Sequence, residues 1–359
     1  MKPESFEVAS YRGKYSVQFS VDAFADLRAE LREGDWLFID QNVRQIFTDA
    51  LRPIIAQYQT VEVDPVETSK SYDGVRPLIL RLIENGFKKD NRLIAIGGGI
   101  TQDVTAFISS ILYRGVDWIF FPTNLLSQGD SCIGSKTSIN FQEYKNQLGG
   151  FFPPAKIYIA PNFLETLDYS EICSGLGEMA HYFLVENEAA FARYEGGVDE
   201  ALERGPSLHE LIGESLEIKK RMIEIDEFDE GPRNVFNYGH SFGHAIEGYT
   251  KYAIPHGIAV SYGMDIANAV SVYLGLLDQV SCDRISKTLR KVRAKTTFPD
   301  IDINTYLTYL KKDKKNTSAG IRVILSKGFG EMFLTQVDSN QEFKAVISQC
   351  FDTFQQETK

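Results

Sequence analysis

Short apolar runs alternate with longer stretches of helical periodicity through the first half of the chain. The apolar runs, each bounded by turn residues, are Trp36–Ile39, Leu93–Ile96, Ile119–Phe121 and Ile157–Ile159. The periodic stretches between them include Val75–Asn85 and Thr101–Tyr113. Strands that are separated by helices pair in parallel through crossover connections, so this alternation predicts an α/β domain.

The second half of the chain has a mainly helical pattern. Helical periodicity returns in the stretches Glu171–Asn187, Leu208–Ile225, His240–Thr250, Ile258–Leu274 and Asp283–Thr297. One strand-like run, Ile321–Leu325, is a late exception. Because the pattern changes near Pro161, the sequence predicts an α/β domain over residues 1–161 and a mostly α-helical domain over residues 162–359.

The overall charge limits the classes of partner. The 359 residues carry a formal net charge of −11, which argues against nucleic acid and anionic membranes because both require an excess of Lys and Arg. No apolar stretch approaches the roughly 20 residues that span a bilayer, and the N-terminus has no signal-peptide pattern. The four cysteines lack metal-ligand spacing and are interpreted as isolated thiols, so we expect a cytoplasmic protein.

A glycine triplet stands between a predicted strand and a predicted helix in LIAIGGGITQDVTAF. Glycines let a backbone approach a phosphate closely, and the first turn of a helix offers free N–H donors at the positive end of its dipole. Gly97, Gly98 and Gly99 therefore suit a pyrophosphate. The spacing differs from the GxGxxG of the common dinucleotide-binding fold, and a tight strand-to-helix turn is the alternative interpretation.

Three of the five histidines, His240, His244 and His256, fall within a short segment. His240 and His244 are four residues apart and share one face of a predicted helix, and His256 follows in a loop-like IPHG segment. Imidazoles with a nearby carboxylate can hold a divalent metal. Histidines that only fill a core or cap a helix are the alternative, and spacing alone does not select the carboxylate.

Several cations stand singly among apolar or small residues. They are Arg114, Lys136, Lys145, Lys219 and Arg233. Taken one at a time, each is typical of a solvated surface charge. Lys136 in CIGSKTSIN and Lys145 in EYKNQLGG are stronger candidates for ligand contacts than the other cations, because cations flanked by glycine often face ligands.

Taken together and in order, these segments resemble the sugar-phosphate cyclases, and among them the 3-dehydroquinate synthase type. The segments are IGGGITQDVTAF, LYRGVDWIFFPTNLLSQGDSCIGSKTSIN, YKNQLGGFFPP, GLGEMAHY, NYGHSFGHAIE and IPHG. The similarity runs from about Asp40 to Lys315. It implies an N-terminal NAD-binding α/β domain, a helical C-terminal metal-binding domain and a homodimer acting on a phosphorylated sugar.

The resemblance also implies roles for individual residues. The metal ligands would be Glu178, His240 and His256, with zinc or cobalt as the metal. The catalytic set would be Asp130, Lys136, Glu178, His181 and His244. The substrate-binding set would be Arg114, Lys136, Asn146, Lys219, Arg233, Asn237, His244, and Lys314 and Lys315 of the Asp313–Lys315 run. The NAD-binding set would be Asp40, Asn42, Glu67, Lys70, Gly98, Gly99, Asp103, Thr123, Asn124, Leu126, Asp130, Lys136, Lys145, Phe163, Thr166 and Leu167.

The chemistry that the resemblance implies uses NAD without net consumption. A ring hydroxyl is oxidised, phosphate leaves by β-elimination, and reduction, ring opening and aldol closure complete the sequence. Lys219 and Arg233 correspond to the groups that bind a substrate carboxylate, and Arg114 to an arginine lent by the partner subunit. Relatives acting on sedoheptulose 7-phosphate typically lack the counterparts of Arg233 and His244. The sequence therefore favours conversion of 3-deoxy-arabino-heptulosonate 7-phosphate to 3-dehydroquinate.

The sequence departs from the family pattern at several positions. His181 replaces a lysine, Asn124 a threonine, Gln102 and Ser135 glycines, and Ile258 a common glutamate. The replaced lysine would contact substrate hydroxyls, so these departures indicate a divergent synthase that could serve a specialised pathway.

Three alternatives stay open. The first is a cyclase for an amino analogue, a hexose 6-phosphate or a heptulose 7-phosphate. The second is a metal-dependent polyol dehydrogenase, against which the basic groups argue because a small neutral alcohol requires no such clamps. The third is a non-catalytic binding protein, suggested mainly by His181.

Overall fold

The computed structural model describes residues 3–142, 144–293, 295–311 and 320–357 and divides into two compact units. The first unit comprises Met1–Leu167 and Lys219–Phe228, and the second comprises Asp168–Ile218 and Asp229–Lys359. The division after Leu167 lies just beyond the boundary predicted near Pro161. The short segment Lys219–Phe228, which joins the first unit, has no counterpart in the predicted boundaries.

The first unit is built from strands and helices in alternation. Its strands are β1 Phe6–Val8, β2 Tyr15–Phe19, β3 Trp36–Asp40, β4 Gln59–Val63, β5 Leu93–Gly97, β6 Trp118–Pro122, β7 Lys136–Phe141, β8 Tyr144–Phe151 and β9 Lys156–Ile159. Its helices are α1 Ala23–Glu30, α2 Gln41–Ile46, α3 Thr48–Ile55, α4 Tyr72–Glu84 and α5 Gly99–Ile111. The predicted strands at β3, β5, β6 and β9 and the predicted helices at α4 and α5 are confirmed.

The main sheet has the strand order β1-β2-β9-β6-β5-β3-β4. All its neighbouring strands pair in parallel except β1 and β2, so the predicted parallel sheet is confirmed. Every residue of β3, β5 and β6 is buried. Their apolar runs do not alternate with polar residues because both faces of the sheet are covered. The hairpin of β7 and β8 is separate from this sheet and was not predicted.

The second unit is mostly α-helical, as predicted. Its helices are α6 Tyr169–Glu186, α7 Glu188–Leu202, α8 Pro206–Ile225 (whose residues from Lys219 onward belong to the first unit), α9 His240–Tyr249, α10 His256–Tyr273, α11 Gln279–Leu289, α12 Ile303–Lys311 and α13 Gln341–Glu357. A hairpin of β10 Ile321–Ser326 and β11 Met332–Val337 accompanies them. Among the described residues, no helix is long and apolar enough to cross a membrane.

Two details of the helical prediction are wrong. The helix predicted over Asp283–Thr297 ends at Leu289 and continues as a 3-10 turn, Arg290–Arg293. His256 is the first residue of α10, not part of a loop. Pro255 precedes it in an extended conformation and restricts only the residue before itself, so a helix can begin directly after the proline.

Candidate metal and cofactor sites

Three helices of the second unit bring one carboxylate and two imidazoles together. Glu178 lies within α6, while His240 and His256 are the first residues of α9 and α10. The Nε2 atom of His240 lies 3.2 Å from Oε1 of Glu178, and Nε2 of His256 lies 3.3 Å from Oε2. The Glu178 residue is only 3% exposed. The structure thus brings the three predicted metal ligands together.

Glycines at the helix contacts allow this convergence. A Cβ atom on Gly257 would overlap the carbonyl oxygen of Ser174 and lie 2.7 Å from the nitrogen of Glu178. A Cβ on Gly263 would overlap the carbonyl oxygen of Gly239. The backbone of α10 therefore touches α6 at one point, and at another it touches the residue that precedes α9. Larger residues at these points would hold the three side chains apart.

We expect Gly257→Ala to destabilise the second unit and to weaken metal retention. The added methyl group must push α10 away from α6, and overpacking of this kind costs about 1–3 kcal/mol. Chemical denaturation and the metal content of the purified protein measure the two effects. Gly196→Ala is the matched control, because a Cβ there meets nothing within 4 Å. An unchanged unfolding midpoint in Gly257→Ala would contradict this account of the helix contact.

The second ring nitrogen of each histidine has its own partner. Nδ1 of His240 lies 3.3 Å from the carbonyl oxygen of Tyr238, and Nδ1 of His256 lies 3.1 Å from Oε2 of Glu247. Each contact suits a ring that is protonated on Nδ1, so Nε2 is the nitrogen that faces Glu178 and is available to a metal. Glu247 was not among the predicted residues. The sequence signal that could have identified it is its spacing, because a residue seven positions after His240 on the same helix lies on the same face.

Two further histidines, His244 and His181, lie beside Glu178, His240 and His256 and differ in their exposure. The donor nitrogens of His240, His244 and His256 lie within 4.8 Å of one another, and the side chain of His244 is 52% exposed. His181 is almost fully buried, with Nδ1 3.9 Å from Oε1 of Glu178 and its ring against Tyr182. His244 thus has access to solvent or a ligand, whereas His181 contacts Glu178 from within the core.

The electrostatics of the cluster favour an ionised carboxylate. Burial opposes the charge, but the adjacent rings of His240 and His256 hold the pKa of Glu178 well below its usual range. The pKa of His256 is raised well above normal, because Glu178 and Glu247 outweigh the effect of burial. The crowded surroundings and the neighbouring rings of His240 and His256 lower the pKa of His244 to about 4, although its side chain is half exposed. A buried negative charge therefore faces imidazole nitrogens.

This donor set fits a divalent metal. Among the described residues, Oε2 of Glu178 accepts no hydrogen bond in suitable geometry, although Nε2 of His256 lies 3.3 Å away, and a buried oxygen that lacks such a bond is costly. A cation between the carboxylate and the Nε2 atoms of His240 and His256 would remove that cost. Two imidazoles with one carboxylate, and a further position left open, form a ligand set typical of catalytic zinc.

The glycine triplet of the first unit joins β5 to the start of α5. A Cβ on Gly97 would collide with the side chain of Thr101, so this glycine is required by packing. Gly98 occupies the N-cap position without a side-chain cap, and a Cβ there would lie 2.7 Å from Nδ2 of Asn124, whereas a Cβ on Gly99 would meet nothing within 4 Å. Open space therefore lies over uncapped N–H groups, which suits a phosphate. Close packing therefore favours glycine at Gly97 and Gly98, and only Gly99 of the triplet borders open space.

Other predicted cofactor residues form a polar network in the same unit. Nζ of Lys70 lies 2.6 Å from Oδ2 of Asp103, and Nζ of Lys145 lies 3.5 Å from Oε1 of Glu67. Asn140 donates to the same Glu67 oxygen at 2.8 Å and, through its own Oδ1, accepts from the backbone nitrogen of Asn146 at 2.9 Å. Burial raises the pKa of Asp103 in spite of Lys70.

The remaining predicted cofactor residues lie at strand ends and connections. Asp40 ends β3 and caps α2 by accepting from the backbone nitrogens of Asn42 and Val43. Thr123, Asn124 and Leu126 follow β6, and Oδ1 of Asn124 accepts from Ser127 at 2.9 Å. Phe163, Thr166 and Leu167 follow β9. The ring of Phe163 packs in the hydrophobic core against Phe24 and Phe47, so a contact of this residue with a cofactor would be made by its backbone.

The predicted substrate residue Lys219 contacts Asp130, a predicted catalytic and NAD-binding residue, in the first unit. Nζ of Lys219 lies 2.7 Å from Oδ1 of Asp130, and Lys219 is 6% exposed. Gln102, which departs from the family pattern, exchanges two hydrogen bonds with the neighbouring Ser131. Lys136 begins β7 and is exposed. The pairing of Lys219 with a carboxylate was not foreseen.

In the second unit, a cavity of about 150 Å³ adjoins the histidine cluster, which consists of His240, His244 and His256. Asn237, His240, His244 and Arg322 line it, and Arg322 was not among the predicted residues. Arg233 is 7% exposed, in the 3-10 turn Pro232–Asn237.

The remaining predicted substrate residues belong to the first unit or lie outside the described residues. In the first unit, Arg114 is exposed on a turn with φ of 65°. Lys314 and Lys315 lie outside the described residues.

Comparisons with known proteins agree with this architecture. The family model for the 3-dehydroquinate synthase N-terminal domain matches residues 60–174, and that for the C-terminal domain matches residues 175–316. A 3-dehydroquinate synthase of Thermoanaerobacter sp. (strain X514) is 32% identical over 343 residues, covering 92% of this chain and 96% of the relative. That of Sulfurovum sp. (strain NBC37-1) is 38% identical over 277 residues, covering 76% and 78%.

A solved structure shares the fold. It is 2-deoxy-scyllo-inosose synthase complexed with carbaglucose-6-phosphate, NAD+ and Co2+, with a TM-score of 0.85 and 22% identity over 97% of this chain and 99% of the other. The predicted arrangement of an N-terminal α/β domain and a helical C-terminal domain is confirmed. The two family models together match most of the chain, and relatives above 30% identity extend over nearly all of it. The chain belongs to the 3-dehydroquinate synthase family.

Proposed function

We propose that this protein is a phosphate-eliminating cyclase that converts 3-deoxy-arabino-heptulosonate 7-phosphate to 3-dehydroquinate, with catalytic NAD and one divalent metal. The observation that carries the proposal is the convergence of Glu178, His240 and His256 in a chain of the 3-dehydroquinate synthase family. The bound groups that a structural neighbour contains, NAD+ and Co2+, support the same pair of cofactors here. Zinc is equally suited to the ligand set.

The cofactors divide the chemistry between the two units. When bound, NAD supplies a reversible hydride acceptor and the metal supplies a Lewis acid for a substrate hydroxyl. Glu178, His240 and His256 would hold the metal. The uncapped turn at Gly98 and Gly99 would take the pyrophosphate of NAD.

The other NAD contacts would come from the first unit. We assign them to Asp40, Asn42, Glu67, Lys70, Asp103, Thr123, Asn124, Leu126, Asp130, Lys136, Lys145, Phe163, Thr166 and Leu167.

Charged and polar side chains would hold the two ends of the substrate. Lys219 and Arg233 would bind its carboxylate, since charge-assisted hydrogen bonds orient an anion precisely. Asn146, Asn237, His244, Lys314 and Lys315 would complete the substrate contacts. In a homodimer, Arg114 would reach the phosphate of the substrate that is bound to the partner subunit. Its position on an exposed turn supports that role. Asp130, Lys136, Glu178, His181 and His244 would serve catalysis, and we place the enzyme in the cytoplasm.

His181 supports a second candidate, a cyclase for another phosphorylated sugar. Where the family has a lysine, this buried imidazole lies beside Glu178 and supplies no extended cation to substrate hydroxyls. An amino analogue, a hexose 6-phosphate or a heptulose 7-phosphate in specialised metabolism are the substrates to compare. A phosphate-release assay across these sugars, with each product identified by mass spectrometry, separates the two candidates.

We expect NAD to be required but not consumed. The hydride removed at the start must return to the same substrate, so released phosphate should greatly exceed the NAD supplied while absorbance of NADH stays flat. Phosphate and NADH can be followed in the same reaction, with metal-depleted protein as the control. Stoichiometric accumulation of NADH from a simple polyol would instead identify a dehydrogenase.

A further inference from the structure

Glu247 has no assigned role, yet it is the acidic neighbour of the histidine cluster. It lies near the end of α9, is 8% exposed, and its Oε2 atom lies 3.1 Å from Nδ1 of His256. The same oxygen lies 4.0 Å from Nε2 of His244. Glu247 therefore contacts the nitrogen of His256 that is turned away from Glu178.

We propose that Glu247 is a positioning residue that fixes the tautomer and ring orientation of His256, an inference that rests on the proposed metal site. A carboxylate accepts but does not donate, so it requires the proton of His256 on Nδ1. Nε2, which lies beside Glu178, is then the nitrogen that is left to bind a metal. Such outer carboxylates also make the imidazole a stronger donor to a metal.

The two histidines are supported unequally. Nδ1 of His240 faces the neutral carbonyl of Tyr238, whereas Nδ1 of His256 faces the charged carboxylate of Glu247. A backbone carbonyl cannot be removed by substitution, but the carboxylate can. The asymmetry makes His256 the ligand whose orientation depends on a single replaceable side chain.

A purely structural role for the Glu247 side chain is separable by experiment. The backbone carbonyl of Glu247 accepts hydrogen bonds from Tyr252 and Thr250, and a substitution leaves these in place. The end of α9 should therefore survive loss of the carboxylate. A change at the metal without a change in the unfolding transition would then report positioning.

The test compares Glu247→Ala and Glu247→Gln with the wild type by titrating Co2+ into metal-free protein. Loss of an outer partner typically weakens metal binding about 10–100-fold, so we expect that loss in Glu247→Ala together with an altered visible spectrum of the bound cobalt. Glu247→Gln keeps the shape but can donate as well as accept, so its affinity should fall between those of the wild type and the alanine variant.

Glu195→Gln is the matched control, because Glu195 pairs with Arg284 at 2.9 Å, away from the histidines. It should leave cobalt affinity and spectrum unchanged. Wild-type affinity and spectrum in Glu247→Gln would overturn the role of the carboxylate, and this variant alone decides if Glu247→Ala does not fold. Failure of the wild type to bind one equivalent of Co2+ would refute the proposed metal site instead.

Discussion

Replacing His256 by alanine is expected to abolish metal binding and turnover together. His256 supplies one of two imidazole nitrogens placed beside Glu178, with Nε2 3.3 Å from Oε2. Without that ring, a metal would keep one imidazole and one carboxylate, whereas catalytic zinc sites use three protein ligands. Metal content by elemental analysis should fall from one equivalent to a trace, and phosphate release should become undetectable.

His209→Ala is the matched control for this experiment. His209 is also a partly buried histidine of the second unit, on α8, and does not belong to the cluster of His240, His244 and His256. It should retain full metal content and turnover. Full metal content in His256→Ala would remove His256 from the ligand set and with it the proposed site.

Replacing Arg233 by alanine is expected to reduce turnover of 3-deoxy-arabino-heptulosonate 7-phosphate by roughly ten- to hundredfold. Arg233 is 7% exposed, so its guanidinium is largely removed from water. A hydrogen bond to a charged group in such a setting contributes about 1.5–3 kcal/mol, which converts to that range of kcat/KM. Steady-state phosphate release gives the ratio directly.

The effect of Arg233→Ala should depend on the substrate carboxylate. Turnover of a heptulose phosphate, which lacks that group, should fall much less, if this sugar reacts at all. Arg193→Ala serves as control, since Arg193 pairs on the surface with Glu214 and should not affect either substrate. If the wild type accepted only a carboxylate-free sugar, and did so equally well without Arg233, the 3-dehydroquinate proposal would fail in favour of another cyclase.

Much of the fold follows from local patterns in the sequence. The uninterrupted apolar runs at Leu93–Ile96 and Ile119–Phe121 predicted buried parallel strands, because only a sheet covered on both faces tolerates them. The spacing of His240 and His244 placed them on one helical face, since the helix repeat is a local property of the chain. Short edge strands such as Phe6–Val8 carry too few residues to show a period and were not predicted.

The convergence of the candidate site was decided by tertiary structure. The sequence alone indicated a carboxylate near the histidines but could not select it, because Glu178 lies 62 positions from His240. Contacts across such distances depend on how helices pack, here through Gly257 against Ser174. Tertiary contacts also place Glu247 against His256 and, in the first unit, Lys219 against Asp130. Periodicity determines the helices and strands, whereas side-chain volume at their contacts determines which charges meet.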